Sequence, residues 1–199
     1  MKHKTLLAGA LLAVCAVAAV AQHDHGKKPE MDPAMMQAMM AAGTPGEPHK
    51  KLESMNGTWD TKITMWMVPG ADPMVTTGVS ENKSVMGGRY VEQRFKGEFA
   101  GMPFEGLGYS GYDNVKKQYW ATWMDNMSTA LFTSTGSASE DGKTWTYTGT
   151  SADPMTGKDT TMESKVYVKD ADHHTMEMWM PGPDGKMFKS MEITYTRKK

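Results

Sequence analysis

The chain has 199 residues, with 22 Lys+Arg against 23 Asp+Glu for a net charge of −1, and a single Cys. So even a balance leaves no basic footprint for nucleic acid or an anionic membrane surface. One cysteine also rules out a disulfide framework, and the length suits one domain with a sizeable core.

Residues 1–21 read as a signal peptide. Lys2 and Lys4 form a positive start, an apolar run follows, and Ala19-Val20-Ala21 is an Ala-x-Ala cleavage site. The run is too short for a stable membrane span. Cleavage before Gln22 implies a periplasmic or secreted protein. Cys15 then leaves with the leader, because Val14 before it is a poor lipoprotein-box residue and more apolar chain follows.

Residues 22–30 form a polar segment containing His23 and His25, with the composition of a disordered stretch. Residues 31–56 form a Met-rich helix and linker. Asp32 is placed to cap it, Pro33 takes the first helical position and Gly43 ends it. Met35, Met36, Met39 and Met40 fall on one stripe, which is expected to dock on a mouth of the following domain. After Thr44-Pro45-Gly46, a second short helical turn points Leu52 and Met55 inward.

Residues 57–199 read as strands throughout. From Trp59 the pattern has period two: Trp59, Thr61, Ile63, Met65 and Met67 share one face. Val68-Pro69-Gly70 stops that strand. Further strands are expected at 74–85, 90–98, 104–112, 117–124, 129–135, 145–151, 159–168, 173–180 and 186–197, joined by Gly-, Asp- and Pro-rich turns. No helical crossover is present for a parallel sheet. An antiparallel meander of about 8–10 strands abolishes its edges by closing into a barrel; a sandwich has the same strand pattern.

The Gly57-Thr58-Trp59 opening resembles that of lipocalin-like (calycin) barrels. That resemblance implies that Trp59 closes one end and that Arg197, from the last strand, packs over it. More short motifs follow in order: Gly87-Gly88-Arg89, Gly106-Leu107-Gly108, Gly111-Tyr112-Asp113, Trp123-Met124-Asp125, Pro183-Asp184-Gly185 and a closing Glu192-Ile193-Thr194-Tyr195-Thr196-Arg197. Over residues 31–197 the chain is similar to the bacterial DUF1579 family. The resemblance implies an all-β, antiparallel lipocalin-like β-barrel with a short N-terminal helix, and it brings no catalytic or ligand assignment.

The residues bear on three kinds of site. A barrel of this size holds either its own side chains or one small apolar ligand. Arg89, Tyr109, Tyr112, Trp123 and Asp125 are its expected contacts, since glycine-flanked turns place them near a rim. Alternatively, His23 and His25 with Met35, Met36, Met39 and Met40 offer imidazole and thioether ligands for copper. His173 and His174 are adjacent on a strand and point to opposite faces, so they do not share an ion. The third kind is catalytic. There is no Gly-x-Ser-x-Gly elbow, no His-Glu-x-x-His and no phosphate loop, so no catalytic residue or cofactor is assigned and enzymatic activity is not expected. Protein partners are likewise unassigned.

Overall fold

The computed structural model describes residues 31–199. The expected signal peptide at 1–21, the 22–30 segment, Cys15, His23 and His25 therefore lie outside the described residues. Two helices, α1 (Pro33–Gly43) and α2 (Glu47–Glu53), precede ten strands. These are β1 (Gly57–Met65), β2 (Met74–Val85), β3 (Tyr90–Phe99), β4 (Met102–Asp113) and β5 (Gln118–Asp125), then β6 (Phe132–Ala138), β7 (Thr144–Ala152), β8 (Asp159–Val168), β9 (His173–Pro181) and β10 (Met187–Arg197). Each strand pairs antiparallel with its chain neighbours, and β10 returns to β1 to close the barrel. Closure leaves no strand edge among them unpaired.

The register fixes which residues face inward. Trp59, Thr61 and Ile63 are buried, and Met65 continues their face. Cross-strand partners carry that face around the barrel, through Ser80 on β2, Phe95 on β3, Gly106 on β4 and Asp125 on β5.

Two strands start elsewhere than the sequence pattern suggests. β4 begins at Met102 because Ala100 and Gly101, both at positive φ, make a two-residue hairpin turn. β6 begins only at Phe132 because Asp125 and Asn126 hold the chain in a loop. Asn126 Nδ2 donates to the Pro103 carbonyl, and Met127 N donates to Asp125 Oδ1.

One end of the barrel is plugged by α2, not α1. Leu52, 2% exposed, packs with Val91, Tyr119, Trp145 and Tyr147, and Met55 rests against that cluster. The α2 backbone starts where Gly46 N donates to His49 Nδ1, and His49 sits edge-on to Tyr112. Lys51 Nζ reaches the Glu140 carbonyl at 2.7 Å, pinning the plug to the β6–β7 hairpin.

The methionine stripe of α1 does not dock. Met35, Met36, Met39 and Met40 are between 45% and 65% exposed, and α1 buries no residue. Among the described residues only its C-terminal end is tied down, by Asn114 Nδ2 donating to the Ala42 and Thr44 carbonyls. The barrel mouth that the stripe would cover is already filled by Leu52. No helix of the described residues is long and apolar enough to cross a membrane.

Candidate functional site: the barrel lumen

The closed end is built around Trp59 and Arg197, which lie directly opposite each other in the β1–β10 ladder. The guanidinium sits 4.1 Å from the Trp59 ring centre. Its Nη1 donates to the Asn56 carbonyl at 2.7 Å and its Nε to the Ala171 carbonyl at 2.9 Å. Trp59 Nε1 donates to the Met55 carbonyl. Gly57 is part of the same device: at φ 132°, a Cβ there would collide with Arg197 Nη1. His174 completes the end, stacked 4.2 Å from the Tyr195 ring and edge-on to Trp59 at 4.3 Å. Burial, with Arg197 beside it, pushes the His174 imidazole down to about 4.

Beyond this plug a polar layer crosses the barrel. Gln93 Nε2 donates to Ser80 Oγ, Ser80 Oγ donates to Asn82 Oδ1, and Asn82 Nδ2 donates to the Met55 carbonyl. Thr61 Oγ1 and Trp145 Nε1 are buried with no hydrogen-bond partner among the described residues. An unpaired buried polar atom costs roughly 1–3 kcal/mol; Trp145 is sealed in the plug cluster beneath Leu52, whereas Thr61 lies on the β1 inner face beyond it.

Toward the other end the inner wall is aromatic and thioether. Three inward rings there lie against glycines of the adjacent strand, Phe95 on Gly78, Trp123 on Gly106 and Gly108, and Phe132 on Gly149, and Tyr147 of the plug cluster lies on Gly136 in the same way. A Cβ on Gly149 would meet the Phe132 ring at 2.6 Å, and one on Gly136 would meet the Tyr147 ring at 2.8 Å. The missing side chains let the rings lie flat along the wall rather than stand toward the axis. Trp123 Nε1 donates to Asp125 Oδ2 at 2.9 Å, which satisfies the indole and fixes its plane. Met65, Met162, Met176, Met178, Met180 and Met191 share this inner face and are half-buried.

The five expected ligand contacts do not form one site. Arg89 lies exposed in the β2–β3 turn, bonded to the Met86 carbonyl, and Tyr112 packs against α2 at the same end. Trp123 and Asp125 face the lumen at the opposite end. Tyr109 is outside the barrel altogether: its register partner Glu92 is on the outer face with Arg94. The shared parity of Tyr109 with Glu92, rather than with Gly108, is what takes it out of the lumen.

On that outer face Tyr109 OH and Arg94 Nε both donate to Glu92 at 2.8 Å, and Lys83 Nζ lies 3.4 Å away. The Arg94 hydrogen bond, then that from Tyr109, hold the Glu92 carboxyl down to about 2. Nothing in the sequence pattern singled this cluster out; only the β3–β4 register reveals it. It borders a cleft of about 230 Å³ with Gly57, Thr58 and Lys83, and a second of about 250 Å³ lies between α2 and the β6–β7 hairpin. Both clefts are outside the lumen and below the ~300 Å³ of ordinary ligand pockets. Among the described residues no three His, Cys, Asp or Glu side chains are grouped to hold a metal.

These features define a lipocalin-like calycin barrel plugged at one end. The chain belongs to the DUF1579 family, described as "Protein of unknown function", which matches residues 44–197. Comparison with curated proteins gives no match. Among solved structures it is similar to that of Rv2717c from M. tuberculosis, at 13% identity and a TM-score of 0.59 over 78% of this chain and 100% of that one. A redesigned β-barrel, b11L5F_LGL, also matches at 13% identity and TM-score 0.40, covering 74% of this chain and 94% of its own. At 13% identity the first of these speaks for the fold alone.

Proposed function

We propose that this protein is an exported binding protein that holds a small, largely apolar molecule in its lumen, between the Thr61 level and the Trp123 end. The carrying observation is the set of inner aromatic rings laid on glycines. Rings laid along the wall leave the axis to side chains more flexible than a rigid aromatic core would supply. The inward methionines occupy the space between, and their flexible, polarisable chains can repack around an entering molecule. Thr61 Oγ1, buried and unpartnered, offers one hydrogen bond at the lumen floor, so the preferred ligand has an apolar body and a single polar end. The leader at 1–21 supports export to the periplasm or beyond.

Native mass spectrometry of the protein, purified from its own compartment without refolding, tests this reading. The expected result is one organic adduct per chain, released when the barrel unfolds. A bare chain that also takes up no apolar probe would overturn it.

A further inference from the structure

We propose that the inner wall also carries a site for a soft monovalent cation of the Cu(I) and Ag(I) class, built from Met65, Met74, Met178 and Met191. The β-ladder sets these residues in one unbroken row. Met74 of β2 lies opposite Met65 of β1, Met65 opposite Met191 of β10, and Met191 opposite Met178 of β9. Directly opposed residues have Cβ atoms about 4.5–5.5 Å apart and point the same way. This row stands on the concave face of a closed barrel, so the ends of its long side chains draw together toward the axis. Thioethers of neighbouring strands are thereby brought to where they can share one ion.

The chemistry of the row selects the ion. Thioether sulfurs are soft and uncharged, and soft ligands favour Cu(I). None of these residues or their inward strand neighbours, Ile63, Thr76, Met176 and Ile193, brings a carboxylate or an imidazole. A divalent ion would lose its hydration with no anion to replace it, whereas a monovalent soft ion has far less to lose. Met74, 37% exposed at the rim, gives the ion a way in. The row differs from the α1 stripe, whose methionines stand on a convex helix surface and diverge into solvent.

This site shares the lumen with the proposed apolar ligand but does not depend on it. The test is silver binding by the full chain in chloride-free buffer, read by isothermal titration and native mass spectrometry, alongside binding of a naphthyl fluorophore. The wild type is expected to take one Ag(I) and no Zn(II). The double variant Met65→Leu/Met191→Leu keeps the lumen apolar and is expected to weaken silver binding at least about tenfold while retaining the fluorophore. Met178→Leu is the second variant, used if the double variant unfolds. Substituting Leu at Met35, Met36, Met39 and Met40 is expected to change nothing. No silver uptake by the wild type, undiminished uptake by the lumen variants, or loss on the α1 substitutions would each overturn the proposal. Silver uptake without fluorophore binding would sink the apolar-ligand reading and leave this one standing.

Discussion

Arg197 and Trp59 are opposed residues of the two strands that close the barrel, and the cation lies 4.1 Å over the indole ring. One contact therefore joins the first strand to the last and also holds the chain entering β1, through the Asn56 carbonyl. Arg197→Ala is expected to lower stability by about 2 kcal/mol, from the lost cation–π contact and the carbonyls left without their donor. Trp59→Ala, which empties a site only 1% exposed, should cost about 3–5 kcal/mol. Urea midpoints of the two variants check both figures.

His174 makes stability depend on pH in a defined direction. Its folded value, about 4, lies below the ordinary 6.5, so the unfolded chain takes up the proton first. Stability is full above 6.5, falls as pH drops toward 4 by about 3 kcal/mol, and loses nothing further from this group below that. His174→Phe keeps a ring between Trp59 and Tyr195 and should flatten the profile between pH 6.5 and 4.5, measured by denaturant unfolding.

Glu92 titrates in a lower window. Its carboxyl is held down to about 2, so its contribution is present above 4.5 and disappears as pH falls from 4.5 toward 2. Tyr109→Phe removes one of the hydrogen bonds responsible and should raise the Glu92 value while Arg94 keeps it below the ordinary range. Carbon-detected NMR titration of the carboxyl resolves this shift.

The two helices should respond oppositely to change. Leu52→Ala in α2 removes the plug residue of the core cluster and is expected to cost about 2–5 kcal/mol. Replacing Met35, Met36, Met39 and Met40 of α1 together by Gln should stay within about 0.5 kcal/mol of the parent, since those side chains are exposed. Thermal and urea unfolding of both variants distinguish the roles.

The meander and the inward set on β1 were legible because period-two alternation in Trp59–Met65 is a local signal and the Gly, Asp and Pro turns are local too, whereas that pattern fits a sandwich equally and closure rested on the family resemblance. Leu52 and Met55 were legible for the same reason. Tyr109 was not: in the Gly-rich run of β4, aromatic residues occupy both parities, so Tyr109 and Tyr112 fall on opposite faces and only the β3–β4 register tells which. The α1 stripe has the spacing of a docking surface, yet spacing does not show whether a partner surface is free. Nor does any local pattern show that Met74, Met65, Met191 and Met178 are neighbours, since residues as far apart in sequence as 65 and 191 meet only when β10 closes on β1.

An occupiable lumen is the central claim, and titration with N-phenyl-1-naphthylamine tests it. Saturable binding of one probe per chain, with blue-shifted emission, is expected. It should be lost in Met178→Trp, which fills the lumen, and kept in Tyr109→Phe, which alters only the outer wall. Binding that never saturates, or that Met178→Trp leaves untouched, would contradict the account.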